Sequence, residues 1–407
     1  MKVLHINSYE FKGGAETVFR FTSSIPVEHN YIGYVEYNDE FSKPSVKFHN
    51  WENDSKLIGI FNYIFSIYNY KRLKDFLNNY TVDVIHIHGI FAALSPSVLL
   101  AIKKFKAKSK IKVVQTLHDF HLICPNASLY NNSKNELCEK CIGKKFKLYI
   151  LKDNCDRRGQ IYSIIKGIRS FISNNIINHK IIIDEFISPS EFLKSKLISE
   201  GIDDKKIKVV RNPIAGFPEE SALSKKNIVC YFGRFSAEKN LKFLIDAFSC
   251  WKEKTRNDFQ LLLIGEGEEE QYLKNHALNS NFKNDISFSK YLPIEKLKEK
   301  IKEVKYLAMT SSCYENFPMN VIEGLVVDII PIVPNIGGMR ESVKYFLEIG
   351  QTYSPNDTAS WIEAIEFLEK NYEDQLKKLQ SKKENTLKEL RLEKYYARIT
   401  SLYNQIK

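Results

Sequence analysis

The sequence predicts an α/β protein with two Rossmann-like domains, and three observations support this prediction. Short runs of β-forming residues alternate with helical patterns along the chain, which is typical of parallel sheets connected by helices. The 407 residues are too many for one ordinary core. A polar, Pro-containing stretch, 211–221, divides the strand candidates into two series. Ligands are therefore expected at the carboxyl ends of the strands, in a cleft between the two domains.

The first series has six strand candidates and the second has five. The first six are Val3–Asn7, Tyr31–Tyr37, Val82–His88, Lys112–Thr116, Glu185–Ser188 and Ile207–Val210. The other five are Asn227–Gly233, Phe259–Gly265, Asp285–Phe288, Tyr306–Met309 and Ile329–Val333. The predicted organisation is an N-terminal domain over 1–212, a linker over 213–226, a C-terminal domain over 227–385 and a helical tail over 386–407.

Composition limits the class of protein. A hydrophobic share of 43% is that of a soluble globular protein, and no apolar run reaches the length of a membrane span. The chain enters a strand at Lys2 without a signal-peptide pattern, so we expect a cytoplasmic protein. The net charge of +11 favours anionic partners, although a Lys-, Ile- and Asn-rich genome explains it equally well. The sequence has no known nucleic-acid-reading module, so nucleic acid is not an expected partner.

The segment Ser311–Glu341 is the most informative stretch of the chain. Glu315 lies in a loop after a strand candidate, and Glu323 lies on the first turns of a helix that begins near Pro318. A helix start offers unpaired backbone N–H groups and a positive dipole end. A carboxylate close by can accept hydrogen bonds from the vicinal hydroxyls of a ribose. These features predict a pocket for a sugar joined to a diphosphate, and solvated surface carboxylates are the alternative.

Four parts of this segment carry a family resemblance. They are Glu315-Asn316-Phe317-Pro318, Glu323-Gly324, Pro331-Ile332-Val333 and Gly337-Gly338-Met339-Arg340-Glu341. The stretch resembles the donor-site signature of the retaining GT-B glycosyltransferases of family 4, the "glycosyl transferases group 1", which use nucleotide-sugar donors. Asn316 and Asp328 stand where the family usually has Gly, and Asp328 predicts strain at a helix C-terminus. The resemblance implies a GT-B architecture, with two Rossmann-like domains facing an interdomain cleft and a C-terminal helix crossing back.

Two cations stand at a turn between a strand and a helix start. Arg234 and Lys239 match the family's Gly-Arg-(x)3-Glu-Lys pattern. Fixed cations at this position stabilise the negative charge that a diphosphate leaving group develops. Two exposed loop cations are the alternative interpretation.

Glycines at strand ends and helix starts can admit a phosphate close to the backbone. Gly13 and Gly14 open a helix after the first strand, while Gly233 and Gly265 end two strands of the second series. Similar glycine elements border the donor in the resembling family. Plain tight turns explain these glycines as well.

His118 lies just past the carboxyl end of a strand, within Thr-Leu-His-Asp. It matches the family's interdomain histidine, which implies contact with the transferred sugar or its oxocarbenium ion. A satisfied structural histidine is the alternative. Asp119 is expected to orient the imidazole or to contact an acceptor. His86 and His88 are expected to be buried structural residues, and side chains that face the cleft are the alternative.

The resemblance implies a retaining glycosyltransferase of bacterial surface polysaccharide or glycoconjugate synthesis. It would transfer a sugar from a UDP- or GDP-sugar to a glycan or lipid-linked acceptor. The implied catalytic residues are His118, Arg234, Lys239 and Glu315, and the implied donor-binding residues are Gly13, Gly14, Gly233, Gly265, Asn316, Phe317, Pro318, Met319, Asn320 and Glu323. Because the diphosphate has protein cations, no catalytic metal is expected. A non-catalytic nucleotide-sugar-binding protein is the alternative, and His118 argues against it.

Four of the seven cysteines form the pattern Cys124-x13-Cys138-x2-Cys141-x13-Cys155. A central chelating pair with two flanking cysteines can complete a tetrahedral thiolate site. Disulfides are disfavoured in a cytoplasmic protein. The pattern therefore predicts a structural zinc that holds an insertion over about 124–155, and reduced cysteines in a flexible loop are the alternative.

Two helical stretches, Ile58–Tyr80 and Ile161–Ile183, mix cations with aromatic and aliphatic residues. Packing in the core of the first domain is the favoured interpretation. Peripheral contact with an anionic membrane, at the inner face of the cell membrane, is the second interpretation, because such helices can lie on a charged lipid surface.

Overall fold

The structure is a computed structural model, and it describes residues 1–11, 13–35, 44–215 and 224–405. The chain forms two compact units. Unit 1 comprises Met1–Asn212 and Leu392–Lys407, and unit 2 comprises Pro213–Arg391. Residues 216–223 of the predicted linker and residues 36–37 of one predicted strand lie outside the described residues.

Unit 1 is built around a seven-stranded parallel sheet. The strands of the unit are β1 (Lys2–Ile6), β2 (His29–Val35), β3 (Val46–Phe48), β4 (Val84–Ile87), β5 (Lys112–Thr116), β6 (Tyr130–Asn131), β7 (Glu136–Leu137), β8 (Glu185–Ser188) and β9 (Ile207–Val209). The order in the sheet is β3-β2-β1-β4-β5-β8-β9, and β6 and β7 form a separate antiparallel hairpin.

Helices connect these strands. They are α1 (Gly14–Ser23), α2 (Lys56–Ile64), α3 (Ile67–Asn79), α4 (Ser97–Lys106), α5 (Tyr149–Lys152), α6 (Gln160–Phe171), α7 (His179–Ile182) and α8 (Glu191–Ser199). Short 3₁₀ turns occur at Trp51–Asn53 and Asp204–Lys206, and a π-helical segment at Ile172–Ile177. Strands such as β4 and β5 are buried along their whole length, as expected for a parallel sheet with helices on both faces.

Unit 2 is built around a six-stranded parallel sheet. Its strands are β10 (Lys226–Phe232), β11 (Gln260–Ile264), β12 (Ile286–Ser289), β13 (Val304–Ala308), β14 (Ile330–Pro334) and β15 (Gln351–Tyr353), in the order β12-β11-β10-β13-β14-β15. The remaining helices of the chain are α9 (Leu241–Thr255), α10 (Glu270–Leu278), α11 (Ile294–Ile301), α12 (Met319–Val326), α13 (Gly337–Glu341), α14 (Thr358–Lys370), α15 (Tyr372–Leu390) and α16 (Leu392–Asn404). Short 3₁₀ turns occur at Ala237–Lys239 and Lys283–Asp285, and a π-helical segment at Ser342–Leu347.

The last helix, α16, packs on unit 1. The hydroxyl of Tyr395 lies 2.7 Å from Oγ1 of Thr22, and that of Tyr403 lies 2.5 Å from Nδ1 of His86. Tyr395, Tyr403 and Ile399 are buried in the core of this unit. The chain thus returns to unit 1 after α15, which is the crossing back that the sequence predicts.

The predicted α/β class is confirmed, and all eleven predicted strands occur within two residues of their predicted ends. The two sheet strands that were not predicted, β3 and β15, are short strands at sheet edges. The stretch Ile58–Tyr80 forms two helices, α2 and α3, because the backbone becomes extended at Phe65 and Ser66.

The predicted strain after α12 lies at Asp328. Its φ of 56° is left-handed, which is the conformation that favours the family's Gly. Asp adopts this region more readily than most residues. Nζ of Lys383 lies 2.9 Å from Oδ1 of Asp328, so an ion pair holds the buried carboxylate.

Candidate functional site

The carboxyl ends of β10 and β13 bring two predicted site residues of unit 2 together. These strands are neighbours in the sheet, so the turn Ala237–Lys239 and the loop after β13 lie side by side. Nζ of Lys239 lies 2.5 Å from Oε1 of Glu315, and the Ser311 hydroxyl donates to the same oxygen at 2.8 Å. Thr310 donates to the carbonyl of Lys239 at 2.8 Å, which fixes the turn against the loop.

The ion pair controls the charge of both partners. Burial alone would lower the pKa of Lys239, but the Glu315 carboxylate together with Tyr231 raises it overall. Burial alone would raise the pKa of Glu315, but Lys239 and Ser311 lower it. Both groups are therefore charged at neutral pH.

Arg234 lies at the same edge of the sheet, after Gly233 and before the turn that carries Lys239. Its side chain is exposed, and in the described part of the chain no hydrogen bond or ion pair engages the guanidinium. The hydroxyl of Tyr231 donates to the carbonyl of Arg234 at 3.0 Å and holds the backbone there. The edge therefore offers an anion one unengaged cation and one cation paired with a carboxylate.

Helix α12 begins as predicted, with Pro318 at its N-cap and Met319 as its first residue. Asn320 donates to the carbonyl of Phe232 at 3.2 Å, so the helix start is tied to the end of β10. Glu323 follows one turn later. Burial raises the pKa of Glu323 to about 7. Within the described ranges its carboxylate has no hydrogen-bond partner, a state that suits a group awaiting a ligand.

Phe317 and Met319 support this loop from inside. Phe317 is 7% exposed and packs on Phe346 with ring centroids 5.9 Å apart. Met319 is partly buried against the same core. Their side chains position the loop 315–320 from inside the core.

The glycines of the predicted site permit close backbone packing. The N–H of Gly338 donates to the carbonyl of Glu315 at 2.7 Å, and a Cβ at Gly338 would lie 1.9 Å from the carbonyl oxygen of Asn316. A Cβ at Gly265 would lie 1.9 Å from the carbonyl oxygen of Gly233. These contacts set the shape of the two strand ends and of the loop 315–320, which is called the donor loop after the role that its sequence predicts.

In unit 1, His118 follows β5 and lines a cavity of about 90 Å³ at the carboxyl ends of β1, β4 and β5. Burial lowers the pKa of His118 to about 4, so the ring is neutral at pH 7. Asp119 does not hydrogen-bond to His118. Its carboxylate accepts from the backbone N–H of His121 at 2.9 Å and lies 2.7 Å from Nδ1 of that ring.

The ring that contacts His118 is His88. Nδ1 of His88 lies 3.0 Å from Nε2 of His118, and the rings stack at an angle of 17°. His86 and His88 are both buried, as predicted, but only His88 lines the cavity. Sequence reasoning missed this contact, although the alternation of His86 and His88 along β4 was its signal.

Gly13 and Gly14 form the start of α1. Gly13 is the N-cap, and a Cβ at Gly14 would meet nothing within 4 Å. Both glycines are exposed, so the first N–H groups of α1 are accessible to an anion.

The fold is that of the GT-B glycosyltransferases. It resembles the lipopolysaccharide outer core galactosyltransferase WaaB (TM-score 0.62, 16% identity, 98% of each chain). It also resembles Anabaena Alr3699/HepE in complex with UDP (TM-score 0.69, 14% identity, 99% of this chain and 100% of that chain), a protein also solved with UDP-glucose.

Residues 216–387 match the family "Glycosyl transferases group 1". This match covers less than half of the chain and agrees with the resemblance found in the sequence. A lipopolysaccharide 1,6-galactosyltransferase of Escherichia coli (strain K12) is 26% identical over 191 residues, which are 44% of this chain and 50% of that enzyme. The chain thus aligns with about half the length of this relative.

Proposed function

We propose that the protein is a retaining glycosyltransferase that transfers one sugar from a nucleoside-diphosphate sugar to a glycan or lipid-linked acceptor. The observation that carries the proposal is the group formed by Arg234, the Lys239–Glu315 ion pair and Glu323 at one edge of the unit 2 sheet. The UDP and UDP-glucose complexes of HepE and the galactosyltransferase relative support a nucleotide-sugar donor and a role in surface polysaccharide synthesis.

Each member of this group has a part in the proposed reaction. Arg234 and Lys239 bind the diphosphate and stabilise the charge that it gains. Glu323 accepts hydrogen bonds from the ribose hydroxyls. Glu315 holds Lys239 in place, while the loop after it faces the donor sugar. His118, a neutral ring, donates a hydrogen bond to a sugar hydroxyl.

The bond changes in the proposed reaction balance without a covalent intermediate. The bond between the anomeric carbon and the phosphate oxygen breaks, and the nucleoside diphosphate leaves with the electron pair. The acceptor oxygen attacks the same face of the sugar, and its proton passes to the departing phosphate oxygen. The configuration at the anomeric carbon is therefore retained. Protein cations carry the leaving-group charge, so turnover is expected to persist in EDTA.

A panel of nucleotide sugars tests the proposal. A donor that binds only the folded state raises the melting temperature, so thermal shift identifies the base and sugar. The matching donor should then release its nucleoside diphosphate when an acceptor extract is added, and NMR of the product should show the donor's anomeric configuration. Binding without release would indicate a non-catalytic binding protein. No shift with any donor would contradict the proposal.

We further propose that unit 1 contacts an anionic membrane through an apolar face formed by α2, the segment 146–151 and α6. The exposed side chains of this apolar face are Leu57, Ile58, Phe61, Phe146, Leu148, Leu151, Ile161, Ile164, Ile168 and Phe171. The guanidinium of Arg169 on α6 lies 4.0 Å from the Tyr63 ring on α2, and the rings of Phe146 and Phe171 stack 6.1 Å apart. The three parts of the apolar face therefore adjoin.

Charge favours an anionic surface as the occupant of this face. Residues 142–183 contain nine Lys or Arg and two Asp. Exposed Lys144, Lys145 and Lys152 stand beside the apolar side chains. Apolar burial combined with cations near anionic lipid is the usual basis of peripheral binding. None of the described helices combines the length and apolar character needed to span a bilayer.

Vesicle cosedimentation tests the membrane contact. The protein should bind vesicles that contain phosphatidylglycerol, and less so at high salt or on pure phosphatidylcholine. The triple variant Phe61→Ser/Ile161→Ser/Ile168→Ser should bind at least about tenfold more weakly. Leu278→Ser, which removes an exposed apolar residue of unit 2, is the matched control. Equal binding by the triple variant and the wild type would contradict the proposal.

A further inference from the structure

Four cysteines of unit 1 take no part in the proposed transfer. The four-cysteine cluster consists of Cys124, Cys138, Cys141 and Cys155, all of them free thiols. Three of the four are buried, and Cys138 is partly exposed. They lie between β5 and β8, in the segment that directly follows the cavity residues 117–122.

Hydrogen bonds draw together the separate parts of the chain that carry these cysteines. The N–H of Cys138 donates to the carbonyl of Leu129 at 2.8 Å, at the end of the β6–β7 hairpin. Asn126, two residues after Cys124, donates to the carbonyl of Cys155 at 3.0 Å. The turn after Cys124, the CxxC pair and Cys155 therefore converge on one place.

Lys147 fixes the second cysteine of the CxxC pair. Its Nζ donates to the carbonyl of Cys141 at 2.7 Å and forms an ion pair with Glu200, 2.7 Å from Oε2. The backbone at Cys141 is therefore held in place within a buried part of unit 1.

We propose that the four-cysteine cluster binds one zinc ion as a tetrahedral structural site. Four thiols lose their protons and form four zinc–sulfur bonds, each of about 2.3 Å. Binding requires the cysteine side chains to rotate toward a common centre. In the structure, no three of the four sulfur atoms lie within 4.8 Å of one another. Among the described residues, only His5, His86 and His88 form a group of three candidate ligands at such distances.

The three histidines are less suited to a metal than the cysteines. Nε2 of His86 lies 2.8 Å from Oγ1 of Thr116, and its Nδ1 lies 2.5 Å from the hydroxyl of Tyr403. Hydrogen bonds thus occupy both ring nitrogens of His86. Only His5 and His88 remain as metal ligands in this group. The zinc is accordingly assigned to the cysteines.

The proposed zinc links two functional parts of unit 1. The N–H of Cys124 donates to the carbonyl of Phe120 at 2.7 Å, so the site is continuous with the segment that carries His118. The residues between Cys141 and Cys155 include Phe146, which belongs to the apolar face. The ion fixes both the cavity wall and this part of the apolar face.

Elemental analysis of protein purified without chelator tests the inference. We expect about one zinc per chain, and less than about a tenth of this in Cys138→Ser/Cys141→Ser. Cys250→Ser, which changes an exposed cysteine of unit 2, is the matched control and should retain zinc. Metal-free wild-type protein with four freely titrating thiols, or full zinc in the double variant, would overturn the proposal.

A second measurement does not depend on the folding of a variant. Titration of the wild-type protein with a mercurial reagent should release zinc in proportion to the thiols modified. Replacement of zinc by cobalt should give the intense visible bands of a tetrahedral ion together with thiolate-to-cobalt charge transfer. Bound cobalt without charge-transfer absorption would refute cysteine ligation. Zinc release and cobalt absorption do not depend on sugar transfer. The zinc proposal and the glycosyltransferase proposal can therefore each fail without the other.

Discussion

At the scale of single residues, Glu323 is the carboxylate that we propose binds the ribose of the donor. Its side chain is half-buried, burial raises its pKa to about 7, and its carboxylate has no hydrogen-bond partner in the described part of the chain. This arrangement costs stability in the free protein. A ribose would supply the missing hydrogen-bond donors.

The variant Glu323→Gln should separate stability from binding. The ordinary pKa of 4.5 applies to the unfolded chain, so ionisation of Glu323 destabilises the fold increasingly from pH 4.5 to about 7 and fully above it. At pH 8, Glu323→Gln should therefore raise the free energy of unfolding by up to about 3 kcal/mol, and the melting temperature should rise with it. Calorimetry should show weaker nucleotide binding. An unchanged affinity would remove Glu323 from the donor site.

His88 is expected to position His118. Nε2 of His88 is buried and has no hydrogen-bond partner among the described residues. A buried N–H group without an acceptor is rarer than a buried nitrogen lone pair without a donor. We therefore assign the His88 proton to Nδ1, which donates to Nε2 of His118. His118 then carries its own proton on Nδ1.

The His118 assignment is tested by comparing transfer with binding. His118→Ala should lower turnover by about a hundredfold or more, while nucleoside diphosphate affinity changes by less than about 1 kcal/mol, because the donor-binding cations and Glu323 belong to unit 2. In His88→Leu, nitrogen NMR should show a changed tautomer of His118, and His88→Asn should restore part of the activity. Normal transfer by His118→Ala would make it a structural histidine.

At the scale of elements, the donor loop and the start of α13 form one packed unit. Gly338 hydrogen-bonds to the carbonyl of Glu315 and leaves no room for a Cβ beside Asn316. The loop that carries Glu315 is therefore shaped by helix α13, which begins 22 residues later, at Gly337.

Gly338→Ala should damage the donor loop. A Cβ 1.9 Å from the carbonyl oxygen of Asn316 forces the loop away, so we expect a loss of stability of a few kcal/mol and weaker donor binding. Gly14→Ala is the control, since a Cβ there meets nothing within 4 Å. Thermal melts of both variants, and nucleotide titration of Gly338→Ala against the wild type, measure the difference. Equal stability of the two variants would contradict this account of the Gly-Gly motif.

Elements with strong local signals could be predicted from sequence, and long-range contacts could not. Strands β5 and β8 occur with the predicted ends, because short strand-forming runs lie between polar residues. The strands β3 and β15 span three residues each and lie at sheet edges, which leaves too few positions for a pattern. The Lys239–Glu315 pair joins residues 76 positions apart, and no spacing rule indicates such a contact.

At the scale of the whole molecule, buried histidines are concentrated in unit 1. Burial lowers the pKa of His5 to about 4 and that of His179 to about 3, and also lowers the pKa values of His86, His88 and His118. The unfolded chain binds these protons near pH 6.5, whereas the folded unit resists them. Protonation therefore destabilises unit 1 as the pH falls from about 6.5 to 4.

Tryptophan fluorescence can follow the two units separately. Trp51 lies in unit 1, and Trp251 and Trp361 lie in unit 2. In Trp251→Phe/Trp361→Phe, the urea midpoint reported by Trp51 should fall steeply between pH 7 and pH 5. In Trp51→Phe, the urea midpoint reported by Trp251 and Trp361 should fall less over the same pH range. A larger acid effect on unit 2 would refute the buried-histidine account.

The central claim is that the chain transfers sugar from a nucleotide donor held by the cations at the edge of the unit 2 sheet. Its most direct test is the rate of nucleoside diphosphate release from the matching donor. Arg234→Ala and Lys239→Ala should each lower this rate at least about a hundredfold, since preorganised charge at a developing anion is worth roughly 3–4 kcal/mol. Lys242→Ala, which removes an exposed lysine paired with Asp246, should stay within about twofold of the wild type. Near-normal rates in both Arg234→Ala and Lys239→Ala would contradict the account.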